Sequence, residues 1–194
     1  MTSVVKSGTL LEVGAGAGYF LDEARKLGFG PYAIEFNPIQ ANFIRDQLKI
    51  PCEVSSLSTS IFEEMKFDAL YHCDVISHFF DPISEFRKIN EIMKEGSFLV
   101  FETGNLGEVN QKYFRYFDRF QYPDHLFFFS PDNLRNLLER AGFKVLKIYR
   151  YSIIPQLLVI KITAGIRNLL IKSNKQERRS GNSGSEKKAS RDIS

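Results

Sequence analysis

Five residues, Gly14-Ala15-Gly16-Ala17-Gly18, follow Glu12 closely and precede Glu35 by the length of one helix and one strand. A GxGxG turn lets the backbone approach a ligand without Cβ obstruction, and it leaves the first N–H groups of the next helix pointing into the space above. A carboxylate beside that turn disfavours a pyrophosphate and suits a ligand with an ammonium or sulfonium. A second carboxylate, Glu35, can accept both hydroxyls of a ribose. The dinucleotide fingerprint GxGxxG is incomplete, because Tyr19 stands where its third glycine belongs. Together these residues favour a nucleoside that carries an amino acid over one that carries phosphates.

The other side chains with chemistry are His72, His78, His125, Cys52 and Cys73. They form no short-range ligand set, so no metal is expected. His72 falls inside a strand and reads as a packed residue. His78 follows the carboxyl end of that strand, where open α/β sheets place their ligands. His125 lies in a long aromatic segment, and either of these two imidazoles could move a proton near neutral pH.

Positioning these residues requires an alternating β-α-β-α chain. Thr9–Val13 reads as a first strand, and Phe20, Leu21, Ala24 and Leu27 recur at helical spacing as far as Gly28. Pro31–Ile34 is a second strand, Ile39–Leu48 a helix, and Cys52–Val54 a short third strand, with Ser55–Ser60 as loop or helix entry. Phe67–Cys73 is a fourth strand. Ile83–Met93 is a helix stopped by Gly96, and Ser97–Glu102 is a fifth strand. Residues 104–128 then crowd aromatics, among them Tyr113, Phe117 and Phe120, into a crossover suited to a lid or a substrate wall. Ser130-Pro131 has the cap and first-turn pattern of another helix, and Phe143–Tyr149 begins a late strand.

The chain has 194 residues, 43% of them hydrophobic and 25% charged, as a soluble domain has. The formal charge is +3, but residues 172–194 carry +4 and leave residues 1–171 at −1. The basic stretch is therefore an appendage, rich in Ser, Gly and Lys and expected to be disordered, and the domain is expected to span residues 1–171. A slightly acidic body argues against a specific nucleic-acid groove, and no specific nucleic-acid partner is expected. No export signal is evident, and a cytoplasmic protein is expected. The apolar stretch 153–171 contains Pro155, Lys161 and Arg167, which fits peripheral membrane contact better than a crossing.

The run Thr9-Leu10-Leu11-Glu12-Val13-Gly14-Ala15-Gly16-Ala17-Gly18-Tyr19-Phe20-Leu21 resembles the first motif of class I S-adenosylmethionine-dependent methyltransferases, notably the small-molecule branch of ubiquinone-biosynthesis type. The likeness continues at Phe67–Leu70, Asp74–Pro82, Met93–Ser97, Glu102–Asn105, Asp124–Pro131 and Leu138–Phe143. It implies an α/β Rossmann-like fold with a mostly parallel sheet, helices on both faces and an antiparallel late strand. Similar enzymes carry helical residues before the first strand, and such a segment is expected to be missing here.

The resemblance further implies S-adenosyl-L-methionine as cofactor. Glu12, Gly14, Ala15, Gly16 and Gly18 would surround its methionine part, Glu35 would hold the ribose, and Phe36 and Asn37 would border the adenosine. Ser56 stands where relatives often present an acid to the adenine. Cys73 and Asp74, at the end of the fourth strand, and Tyr19, whose ring could cover the methyl, complete the cofactor set. His125 and His78 are the catalytic candidates. The acceptor is expected to be small and apolar or aromatic. The alternative is a non-catalytic methyltransferase-like subunit, or a truncated homologue that needs a protein partner or a second copy.

Overall fold

Apolar side chains at Leu10, Leu11 and Val13 leave the backbone toward both faces, the pattern of a strand covered on both sides. In the computed structural model this run is β1, Gly8–Val13. Residues 6–111 and 125–150 are described. They contain helix α1 (Tyr19–Lys26), strand β2 (Phe29–Ile34), helix α2 (Pro38–Asp46), strand β3 (Cys52–Glu53), strand β4 (Phe67–Cys73), helix α3 (Pro82–Ile92), strand β5 (Met93–Glu102) and helix α4 (Pro131–Arg140). Two short 3₁₀ turns, Leu57–Thr59 and Ile61–Glu64, lead into β4, and a third, Ile76–His78, follows it.

Three of the four helices start in the same way. Asn37, Asp81 and Ser130 each accept a hydrogen bond from a backbone N–H in the helix's first turn, and each is followed by a proline at the first helical position. Proline lacks the N–H that would go unsatisfied there, and its fixed φ suits the helix, so these dipeptides set the starts of α2, α3 and α4.

All strand pairs among the described residues are parallel, in the order β3-β2-β1-β4-β5. The chain winds outward from β1 to β3 and then returns to place β4 on the other flank of β1. That reversal opens a crevice between the carboxyl ends of β1 and β4, where such sheets bind ligands. One apolar cluster joins Leu10, Ala33 and Ala69 of the sheet to Leu21 and Ala24 of α1 and Ala41 and Ile44 of α2. The other joins Leu11, Val13 and Leu70 to Phe86, Ile89 and Ile92 of α3 and Leu138 of α4. The sheet therefore has helices on both faces, in the expected Rossmann-like arrangement. At its amino edge Asp68 accepts from Thr9 N–H at 2.8 Å and from Lys94 Nζ at 2.8 Å, and so ties β1, β4 and β5 together.

Two boundaries differ from the sequence reading. Gly96 does not stop α3: the helix ends at Ile92, Met93 already pairs with Phe67, and Gly96 sits inside β5 with φ 75°. Between the pairs Phe67–Met93 and Ala69–Phe98, β5 uses more residues than β4, so the glycine serves a bulge. The antiparallel late strand expected over Phe143–Tyr149 is not formed within the described residues. Phe143 and Val145 pack against the apolar core, but without a ladder partner among those residues the segment is not a strand.

Met1–Ile148 makes one compact unit; of the second, Tyr149–Ser194, only Tyr149 and Arg150 are described. Tyr113, Phe117 and Phe120, the stretch 153–171 and the tail 172–194 lie outside the described residues. No helix among the described residues is long and apolar enough to cross a membrane.

Candidate functional site

The glycine loop leaves β1 through three residues that side chains would disturb in different ways. Gly14, Gly16 and Gly18 have φ of 73°, 56° and 73°, a region that L-residues seldom adopt. A Cβ on Gly14 would lie 2.6 Å from Val75 Cγ2, and one on Gly18 would lie 2.8 Å from Ile44 Cγ1. These two glycines therefore let the loop seat against β4's loop and against α2. A Cβ on Gly16 would meet nothing within 4 Å, so Gly16 borders open space. Gly14 N–H donates to Ile34 O at 2.8 Å, and Ala15, buried beneath the loop, points its N–H at the same oxygen.

Glu35 ends β2 and clamps this loop. Its Oε2 accepts from Gly16 N–H at 2.7 Å and its Oε1 accepts from Asn37 N–H at 2.7 Å. Glu12, on β1, is only 5% exposed, and its Oε2 is buried without a hydrogen-bond partner. Burial, and then the neighbouring Glu35 charge, push the Glu12 carboxyl up to about 8. A buried acid held neutral in this way stands ready for a ligand that brings a positive charge.

Phe36 follows Glu35 and is 78% exposed, an apolar ring at the carboxyl edge of the sheet. Asn37 is committed elsewhere: its Oδ1 accepts from Ile39 N–H at 2.9 Å and caps α2, so its side chain is fixed by the helix. Ser56 Oγ lies 3.0 Å from Ser58 Oγ and 2.9 Å from Thr59 Oγ1. The acid nearest to it in the chain, Glu53, accepts from Ser60 Oγ at 2.6 Å and Ile61 N–H at 2.9 Å and so fastens the second 3₁₀ turn. Tyr19, at the start of α1, is 74% exposed.

The other flank of the crevice is built by β4 and β5. Tyr71 O–H donates to Glu102 Oε1 at 2.8 Å, and burial followed by this bond holds the phenol well above its ordinary range. Cys73 is exposed; partial desolvation and the Asp74 and Glu102 charges raise its thiol, which disfavours a reactive thiolate. Asp74 takes φ 53°, and its N–H donates to Glu102 O at 2.9 Å. That turn directs Val75 against Gly14. One 3₁₀ turn later comes His78, whose ring centroid lies 4.9 Å from that of His125. Leu126 N–H donates to Ser77 O at 2.7 Å and holds the two segments together.

The structure thus brings Glu12, Gly14, Gly16 and Glu35 into one group and His78 and His125 into another, with Val75 as the link to the second. Sequence reading missed Val75, and it missed the Tyr71–Glu102 bond because both residues sit in strands that scan as apolar. His72, one residue from Tyr71, is fully buried with both ring nitrogens unpaired. It stacks on Phe101 at 4.8 Å and lies near Phe79 and Phe86, and this burial pushes the imidazole down to about 3.

A parallel sheet of this order, with a glycine loop after β1 and an acid ending β2, defines a Rossmann-like α/β fold. Comparison with known proteins narrows the class: residues 4–148 match the methyltransferase domain family, and the chain belongs to it. A tRNA U34 carboxymethyltransferase from Sulfurovum sp. (strain NBC37-1) is 25% identical over 146 residues, which cover 71% of this chain and 48% of that protein. The chain thus spans about half the length of that curated relative. An S-adenosylmethionine-dependent methyltransferase from Mesorhizobium loti superposes with a TM-score of 0.64 at 18% identity, over 76% of this chain and 79% of that one. A chain from the complex between the Haloferax volcanii Trm112 methyltransferase activator and a methyltransferase gives a TM-score of 0.61 at 18% identity over 74% of this chain and 65% of that one. These two likenesses establish the fold.

Proposed function

We propose that the domain, residues 1–171, transfers a methyl group from S-adenosylmethionine to a small apolar or aromatic acceptor. The observation that carries this reading is Glu12: a carboxyl buried beside the glycine loop, with one oxygen unpaired and its ionisation held back by burial and by the Glu35 charge. The open side of Gly16 provides room for a ligand's main chain next to that acid. Glu12 with the Gly14–Gly18 backbone would hold the amino-acid end, Glu35 the ribose, and the exposed Phe36 ring the adenine, with Ser56, Cys73 and Asp74 at the margins of the cradle. The residues present therefore fit the cofactor, which when bound supplies an electrophilic methyl carbon on sulfur. Tyr19 covers that centre and keeps out water, and the protein's main task is to align donor and acceptor.

Isothermal calorimetry of the folded full chain with S-adenosylmethionine and with S-adenosylhomocysteine tests the reading. Both should bind, and Glu35→Ala should weaken both by more than about 100-fold, through loss of two charge-assisted hydrogen bonds of about 1.5–3 kcal/mol each. A folded chain that binds neither would overturn it.

A second reading is a methyltransferase-like subunit completed by a protein partner or a second copy. It is favoured by Ser56, which offers a hydroxyl already engaged with Ser58 and Thr59 in place of an acid, and by the Haloferax chain's activator. Methylated product from the isolated chain would exclude it. An RNA acceptor, suggested by the name of the Sulfurovum relative, is disfavoured by the −1 charge of residues 1–171.

A further inference from the structure

We infer that the base end of the cofactor site reads a purine through hydroxyls that can reverse their hydrogen bonds, so that it accepts a 6-oxo base as well as the 6-amino base of adenosine. This inference rests on the methyl-transfer reading above. The order of the strands sets where the base must lie. That reading puts the amino-acid end at Glu12 on β1 and the ribose at Glu35 at the end of β2, and the next strand outward is β3. The ends of β2 and β3 meet there: Ile34 pairs with Glu53, and Glu35 N–H donates to Glu53 O at 2.9 Å. The segment that follows β3, residues 54–60, therefore borders the base together with Phe36.

Residues 54–60 hold no acid, and Glu53, the one acid between Asp46 and Glu63, is turned to its own loop. Its Oε2 accepts from Ser60 Oγ at 2.6 Å, from Ile61 N–H at 2.9 Å and from Ser55 Oγ at 3.2 Å. What the segment offers instead is a row of three hydroxyls. Ser56 Oγ lies 3.0 Å from Ser58 Oγ and 2.9 Å from Thr59 Oγ1, and either oxygen of each pair can donate. Thr59 Oγ1 also lies 3.4 Å from Ser56 O, the longer of its two contacts. Ser56 is half-buried, whereas Ser58 and Thr59 are exposed.

An ionised carboxylate only accepts hydrogen bonds, so in this place it would hold a 6-amino purine and repel the oxygen of a 6-oxo one. A hydroxyl has one hydrogen and two lone pairs, and the row satisfies either base. Facing an amine, Ser56 donates to one neighbour, accepts from the other and keeps a lone pair for the N–H of the base. Facing an oxo group, it accepts from both Ser58 and Thr59 and turns its own hydrogen to the base oxygen. The neighbour that accepts from Ser56 in the first state keeps its hydrogen for ring N1; in the second state it donates to Ser56 and has a lone pair for N1–H. Only hydroxyl hydrogens rotate between the two states, and no heavy atom of the row moves.

Calorimetry on the full chain tests this with S-adenosylhomocysteine and its 6-oxo analogue, S-inosylhomocysteine. The two should bind the wild-type chain within about fivefold of one another. Ser56→Asp, checked for folding by circular dichroism, should favour the 6-amino ligand by about tenfold or more, because it replaces a reversible group with an obligate acceptor. Ser56→Ala removes the hydroxyl that both ligands use and should weaken each by about fivefold, leaving their ratio unchanged. That ratio decides the matter even if Ser56→Asp fails to fold. A wild-type preference beyond about fivefold for either ligand, a folded Ser56→Asp chain with the wild-type ratio, or unequal losses in Ser56→Ala would each overturn the inference. A folded wild-type chain that binds neither ligand would instead overturn the methyl-transfer reading itself.

Discussion

Glu12 and His72 stand on adjacent strands, one position apart in register, and both are buried ionisable side chains with unpaired polar atoms. Their surroundings differ. Glu12 lies at the end of β1 beside a loop whose middle glycine borders open space, and it faces the Coulombic pressure of Glu35. His72 is fully buried among the rings of Phe79, Phe86 and Phe101 against α3. Burial keeps both groups neutral, but only the first can be relieved by a ligand. The same desolvation is thus a poised binding site at one place and a structural liability at the other, and access decides which.

The contrast breaks most visibly on acidification. The folded His72 titrates at about 3 and an unfolded histidine at about 6.5, so its neutral form is the one that the fold accepts. The associated stability is intact above the unfolded value and is lost as pH falls from there toward 3, by about 5 kcal/mol in all. Urea denaturation of His72→Phe should show equal or greater stability than wild type at pH 7 and a loss on acidification smaller by roughly that amount. Parallel curves for the two proteins would mean that His72 has a partner in solution.

Next in size is the glycine loop. Gly14→Ala, with φ 73° and a Cβ forced against Val75, should destabilise the domain by about 2–3 kcal/mol. Gly16→Ala has open space before it and should cost about 1 kcal/mol in thermal or urea unfolding while abolishing cofactor binding by calorimetry. Equal effects of the two substitutions on stability would remove the distinction between the seated and the open glycine.

The smallest effect sharpens the account of Glu12. Its folded value of about 8 lies above that of an ordinary carboxyl, so its contribution to stability is present at low pH and is lost as pH rises through 8. A bound ammonium should reverse the shift. Calorimetry at pH 7 in buffers of different ionisation enthalpy should therefore report proton release on S-adenosylmethionine binding, and Glu12→Gln should abolish the release and weaken binding about tenfold, or about 1.4 kcal/mol.

Much of the sheet was legible because its signals are local. The glycine run marks the first turn, and Ser130-Pro131 announces a helix start through chemistry that does not depend on the rest of the fold; Asn37-Pro38 and Asp81-Pro82 carry the same cap and proline pattern, which the sequence reading passed over. Glu12 and Glu35 were legible for the same reason, as acids at fixed distances from one turn. The features that escaped are non-local. Gly96 has the look of a helix stop, and only the pairing of Met93 with Phe67 shows that the strand has already begun. The meeting of His78 with His125, and the bond from Tyr71 to Glu102, depend on which strands become neighbours. The oxygen of Asn37 is already taken by the helix that it caps, and no spacing rule reveals that a side chain is in use.

The bulge at the start of β5 has a consequence for how the domain can vary. Side chains on a strand alternate between faces, so a single inserted or deleted residue normally inverts everything downstream. Here β5 advances from Met93 to Phe98 while β4 advances only from Phe67 to Ala69, and from there the register runs without interruption to the pairing of Cys73 with Glu102. Slack is stored at the end of the strand remote from the crevice. The segment around Gly96 can gain or lose a residue and absorb the change locally, leaving Glu102 under the Tyr71 hydroxyl. The domain thereby separates the place where its length can drift from the place where its alignment must not.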